Sequence, residues 1–131
     1  MPNHKMRRLF RLQPRFLLFI VFLLLVGCNT QAQELEPASR SYQAHRDYPS
    51  LAVISVHLRK GMARSKVIDL LGEPDYSPLA GQYYYSSDRR ETVQHGKKEM
   101  QIPVGLIIDY RDEQGRVTKR LQTFQLGRIG E

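Results

Sequence analysis

The folded part of this chain is predicted to be α+β: a small two-layer sandwich with two N-terminal helices packed on a three-stranded antiparallel sheet. Three observations predict it. Val67, Ile68, Leu70 and Leu71 recur at helical spacing between a break at Gly61 and a stop at Gly72 and Pro74. Residues 81–124 then hold three segments of strand character. Helices that precede a meander segregate to one face of its sheet.

The elements follow in chain order. Leu51 to Leu58 is apolar with a short period. Ser50 is a candidate cap and Pro49 precedes it, which favours a helix; the β-branched Val53, Ile54 and Val56 also suit a strand. The second helix is clearer. Gly72 sits where a left-handed residue closes a helix, and Pro74 prevents continuation. Met62 and Val67 have the spacing of a hydrophobic staple around a cap at Ala63, although alanine caps poorly. The first strand, Gly81 to Ser87, carries Tyr83, Tyr84 and Tyr85, with Tyr84 on the face opposite the other two. Residues 88–102 are charged and read as a long loop. Val104 to Arg111 alternates, with Leu106, Ile108 and Tyr110 on one face. Asp112-Glu113-Gln114-Gly115 reads as a turn leading into a third strand, Arg116 to Phe124. Lys119 falls in phase with the apolar residues of that strand, as at a sheet edge.

The N-terminal third reads as an address. Lys5, Arg7, Arg8, Arg11 and Arg15 form a positive region without acidic residues. Phe16 to Val26 is an unbroken apolar run, too short for the ~20 residues of a spanning helix. It closes on Leu25-Val26-Gly27-Cys28, with the only cysteine of the chain. This order of charge, apolar run and small residue predicts a lipoprotein signal over residues 1–27, cleaved before Cys28. Cys28 is the predicted lipid-attachment site. Two or more acyl chains anchor a protein stably where one does not. An uncleaved signal anchor and an incidental Cys28 are the alternatives. In residues 28–49, Asn29 to Ser41 is polar, with Pro37 and a single large aliphatic, Leu35. That composition predicts a flexible tether, with Tyr42, His45 and Tyr48 able to dock. The domain proper then spans residues 50–131.

Charge narrows the function. The whole chain carries 20 Lys+Arg against 13 Asp+Glu. Five of the basic residues lie in the signal, so residues 28–131 carry 15 against 13, a net charge of +2. Nucleic acid is therefore not an expected partner. With Cys28 taken by lipid, no thiol remains for a disulfide or a metal.

No catalytic constellation stands out, and the chain is not expected to be an enzyme. His57 lies on an apolar segment and reads as a packed histidine. His95 and Glu99 are four apart, but Gly96 and Pro103 argue against a helix there, and a third ligand is missing. Ser86-Ser87-Asp88 near His95 lacks a strained nucleophile turn. No phosphate loop or dinucleotide fingerprint is present. No metal, cofactor or small-molecule substrate is expected. The three tyrosines pack a strand or, at an exposed member, serve as an aromatic contact. Arg89-Arg90 and Lys97-Lys98 make a basic stretch, solvated or set against anionic lipid headgroups. Tyr84, Arg89 and Arg90 are the candidate partner-binding residues.

Leu58-Arg59-Lys60-Gly61-Met62-Ala63, running on through Val67-Ile68-Asp69-Leu70-Leu71 to Gly72-Glu73-Pro74, resembles the signature of SmpA/OmlA-domain lipoproteins, a family that includes the BamE component of the outer-membrane β-barrel assembly machine. Tyr83-Tyr84-Tyr85 falls at the family's aromatic strand, and Ile107 to Tyr110 with Gly115-Arg116-Val117 falls at its final hairpin. The likeness covers about residues 50–124. It implies an ααβββ fold, similar to the repeats of β-lactamase inhibitor protein. It also implies a non-catalytic scaffold in envelope maintenance or outer-membrane protein assembly, with another envelope protein as partner. A periplasmic inhibitor of a soluble envelope hydrolase is the alternative. Asn29 rather than Asp after Cys28 implies, by the sorting rule of such lipoproteins, the periplasmic face of the outer membrane.

Overall fold

A computed structural model describes residues 30–130 of the chain. The signal, Cys28 and Asn29 lie outside the described residues. Residues Gln33–Glu131 form one compact unit. Its class is α+β, with three helices and a four-stranded antiparallel open sheet among the described residues. The helices are α1 (Thr30–His45), α2 (Tyr48–His57) and α3 (Arg64–Leu71). The strands are β1 (Tyr76–Leu79), β2 (Gln82–His95), β3 (Lys98–Asp109) and β4 (Thr123–Arg128), adjacent in that order.

The predicted tether over 28–49 is corrected first. Most of that stretch is α1, and its far end, with Tyr48 and Pro49, opens α2. Leu35, Ala38, Ser39, Tyr42 and Arg46 repeat at three- and four-residue intervals, and this stripe meets the rest of the molecule. Tyr42 is fully buried, Ala38 and Ser39 are buried, and Leu35 packs against the same core. Polar side chains from this stretch also complete α3. The last carbonyls of a helix lack intrahelical partners. Ser39 Oγ donates to Leu70 O at 2.7 Å and Gln43 Nε2 donates to Asp69 O at 3.0 Å. Just past α1, Arg46 donates to Leu71 O at 3.2 Å and to Glu73 O at 3.1 Å. Tyr42 Oη donates to Ser86 O at 2.8 Å. Pro37 lies inside α1, where it lacks the N–H of a helical hydrogen bond. The domain boundary therefore moves from residue 50 to Gln33.

α2 is a helix, and Asp47 rather than Ser50 caps it, accepting from Ser50 N at 3.1 Å. Desolvation raises the Asp47 carboxyl, but bonds from Ser50 and Ser41 outweigh it and hold the pKa below the usual value. α3 starts where predicted. Ala63 adopts the extended cap conformation but offers no side-chain bond, and Gly72 closes the helix at φ +75°.

Two strand boundaries are also corrected. The predicted loop over 88–102 is a β-hairpin: β2 and β3 pair as far as His95↔Lys98, across Gly96 and Lys97. The expected third strand over 116–124 is mostly irregular. It makes one bridge to Arg111 at Val117 and one to Ala63 at Arg120, and regular pairing begins only at Thr123. The turn before it is as expected. Asp112 Oδ1 accepts from Gln114 N and Arg116 N, and Gly115 takes φ +77°. A short β1 against β2 is an addition.

The core lies between the helices and one face of the sheet. Leu51, Ile54, Leu58, Val67, Leu71, Tyr85, Leu106 and Ile108 fill it. Tyr110 joins them, edge-on to Tyr83 at 5.8 Å. Its hydroxyl is buried without a hydrogen-bond partner among the described residues, and burial pushes its pKa up to about 12.

Candidate functional site

The residues singled out in the sequence do not converge. Tyr84 stands on the sheet face away from the core, half-buried, with the exposed Tyr76 ring 5.9 Å away and Ile107 at the paired register position. Tyr85, its neighbour, is buried in the core, so the opposition expected within the tyrosine triplet is observed. Arg89 lies over the Tyr48 ring at 4.6 Å. Arg90 is exposed opposite Pro103, beyond a break in the β2–β3 register. Cys28 lies outside the described residues.

The polar residues weighed for chemistry hold structure. Ser87 Oγ donates to Val104 O at 2.6 Å and accepts from Arg89 N, within the irregular stretch of β2. His95 is at the far end of the same strand. His57 Nδ1 sits 2.8 Å from Val53 O, one helical turn back. Asp88 accepts from Tyr48 N at 2.9 Å. Among the described residues no cluster of three metal-ligating side chains occurs. No described helix is long and apolar enough to cross a membrane.

A second site emerges that the sequence reading passed over. The bend after α2 pairs with the stretch before β4. Gly61 N donates to Leu121 O at 2.7 Å, Leu121 N to Met62 O at 2.8 Å and Arg64 N to Lys119 O at 2.9 Å. These bonds bring the segment that carries Arg59, Lys60, Arg64 and Lys66 beside the one that carries Lys119 and Arg120. Neither segment, 59–66 nor 117–121, contains an acidic residue. A groove of about 520 Å³ opens between them, lined by Arg64, Lys119 and Arg120 over Ala63, Ser65 and Ile68.

The electrostatics of this region differ from those elsewhere. The ion pairs among the described residues join Arg40 to Glu36, Arg46 to Asp75, Arg111 to Asp109, Arg116 to Asp112 and Arg128 to Glu91. None involves the six cations of the patch. Arg59 and Arg120 donate only to main-chain carbonyls, and Arg64 donates to Tyr83 Oη at 2.8 Å while covering the Tyr83 and Tyr110 rings. Arg59, Lys60, Lys66, Lys119 and Arg120 are exposed. With these six set aside, residues 28–131 hold nine basic against 13 acidic side chains. The patch is thus positive on a domain that is otherwise negative. The signal was available in the sequence as two basic, acid-free runs. What the sequence did not show is that they lie side by side.

In comparisons of the chain with family models, curated proteins and solved structures, nothing matches.

Proposed function

We propose that the protein is a lipid-anchored, non-catalytic adaptor of the cell envelope, held at the periplasmic face of the outer membrane through Cys28. The observation that carries the adaptor reading is the cationic patch. Six positive side chains, none of them in an ion pair among the described residues, define a surface suited to an acidic partner. Complementary charge steers encounter and fixes register more than it adds affinity. The partner in this reading is another envelope protein presenting acidic side chains. The resemblance to SmpA/OmlA-domain lipoproteins supports the same class of function, and the three-helix, four-strand layout is compatible with that family's ααβββ sandwich.

The described part alters how the anchor would work. Gln33, where the compact unit begins, stands five positions after Cys28, with four residues between them. At ~3.4 Å per residue the link reaches at most ~17 Å. The anchor in this reading is a short link that confines the domain close to the bilayer and raises its effective concentration there.

Two measurements test the proposal. Mass spectrometry of the protein from envelopes should find Cys28 acylated, and an unmodified Cys28 would remove the anchor. Crosslinking in envelopes should capture a partner that the Lys119→Glu, Arg120→Glu double variant loses at least tenfold, with circular dichroism unchanged. Substituting Tyr84, or Arg89 with Arg90, tests the sheet face and the β2 register break as competing surfaces. Capture unaffected by every variant would refute the adaptor surface. A tight complex with one soluble hydrolase would replace it with the inhibitor reading.

A further inference from the structure

The β2–β3 hairpin outruns the rest of the sheet. β1 pairs with β2 only as far as Tyr84, and β4 leaves β3 at Val104↔Arg128. Beyond that point residues 90–95 and 98–103 form a two-stranded ribbon. Its two faces differ. On one, Gln94 bonds Glu99 at 2.9 Å and Gln101 bonds Thr92 at 2.6 Å. On the other, Val93, Met100 and Ile102 continue the core face of β3 past the helices, beside a groove of about 520 Å³ that also touches His95, Arg128 and Gly130. Met100 is 49% exposed. A lone two-stranded ribbon is at best marginally stable in water.

The outer edge of this ribbon is open, and its hydrogen-bonding phase can be read. Ile129 N donates to Pro103 O at 2.9 Å, so Pro103 faces the β4 side of β3. Pro103 has no N–H to return, and the pairing with β4 stops there. Main-chain groups on a strand face the same edge at every second residue. The N–H and C=O groups of Gln101 and Glu99 therefore face outward on the same side. Among the described residues no strand pairs with that edge.

We infer that residues 98–102 of β3 pair antiparallel with the same residues of a second copy of this chain, about a two-fold axis at Met100. The argument is self-complementarity. With the axis at Met100, Glu99 of one chain opposes Gln101 of the other. Both expose their main-chain groups to the shared edge, so the two pairs exchange four hydrogen bonds. Met100 opposes its own copy in the closer, non-hydrogen-bonded position. Lys98 opposes Ile102 and Glu99 opposes Gln101, so no like charges meet directly. The apolar strips of Val93, Met100 and Ile102 join across the axis on one face. An axis at Lys98 would oppose two lysines, and one at Gln101 would place Glu99 against Pro103, which lacks a donor. This is an isologous contact, which closes as a dimer. A five-residue edge falls short of the ~1,200 Å² of a stable interface, so the dimer exchanges readily.

The test is site-specific oxidation of the full chain in detergent, with Cys28→Ser so that position 28 offers no thiol in any unacylated fraction. Met100→Cys places its thiol on the axis, and Lys97→Cys places a thiol at another exposed position off it. The expected result is disulfide dimer forming at least tenfold faster from Met100→Cys than from Lys97→Cys. Adding Gln101→Pro, which deletes one outward donor per chain, should bring Met100→Cys down to the Lys97→Cys rate. Circular dichroism checks the fold of each variant. Equal rates at 97 and 100, or indifference to Gln101→Pro, would overturn the pairing. So would photo-crosslinking of position 100 in envelopes to a foreign chain in place of the homodimer.

Discussion

The two ends of the β2–β3 hairpin use the same strands and meet different fates. Near the helices, Tyr85, Leu106 and Ile108 are buried to 1% exposure or less. Toward the tip, Val93 and Ile102 are only half-buried, and Met100 on the same face is far more open. The alternation is alike at both ends. What differs is the layer above: α1, α2 and α3 cover the first part of the face and stop. A strand pattern therefore specifies a face, and a covering element decides whether that face becomes core. An apolar strip left uncovered by the described residues is a place to look for association.

Truncating one residue at each end should separate the two sharply. Leu106→Ala, inside the covered half, should destabilise by about 3 kcal/mol or more in denaturant melts, through lost transfer energy and a residual cavity. Met100→Ala at the tip should cost less than about 0.5 kcal/mol in the same measurement. Equal losses would mean that the ribbon is packed in solution by something beyond its own fold.

The next effect concerns the covering layer itself. Asp47→Ala removes the cap of α2 and should cost about 1 kcal/mol. The same carboxyl gives a pH signature. Its folded pKa lies below the usual 3.8, so its contribution is fully present above the unfolded value and is lost as pH falls through the folded one. Asp109, held down by Arg111 against its own desolvation, acts in the same direction. Stability should therefore fall below about pH 4, and less steeply in Asp47→Ala.

Two smaller changes sharpen the picture in the opposite direction. Ala63→Thr should add about 0.5–1 kcal/mol, because the backbone already holds the cap conformation and lacks only the hydroxyl. Tyr110→Phe should be neutral or slightly stabilising, since it removes a buried hydroxyl without a partner among the described residues. The same melts read both. A loss of about 1 kcal/mol in Tyr110→Phe would reveal a partner for that hydroxyl.

Much of the fold was legible because some signals are local. Gly72 with Pro74 ended α3, and the Asp112-to-Gly115 turn needed only its own residues. α1 was missed because Pro37 and a polar composition outweighed a helical stripe of few apolar residues. It is held by tertiary contacts, the burial of Tyr42 and Ala38 and the bonds of Ser39, Gln43 and Arg46 to carbonyls 25 to 31 positions later, which no local window displays. The hairpin tip was missed because charged residues read as loop, although Thr92, Gln94, Glu99 and Gln101 support each other across the strands. Of the candidate site, the basic runs were visible but their adjacency was tertiary. Tyr84, Arg89 and Arg90, within seven residues of one another in sequence, are placed apart by strand alternation and the irregular register after Ser86.

Two glycines are constrained for unrelated reasons, and mutational tolerance should tell them apart. A Cβ on Gly115 would meet nothing within 4 Å, and only φ +77° restricts the position. In a library selected for folding, asparagine and aspartate should survive there, since they tolerate the left-handed region. Gly105 lacks positive φ but lacks room as well: a Cβ would stand 2.2 Å from Tyr85 O and 2.3 Å from Ile129 Cδ1. Main chain on one side cannot yield, so position 105 should return glycine alone. The same crowding couples it to Ile129, which is buried against it. Trimming Ile129 should not rescue Gly105→Ala, because the tighter clash is with backbone. Of the two glycines, only 105 should thus be a fixed letter of this sequence, and the reason lies across the sheet rather than in its own torsion angles.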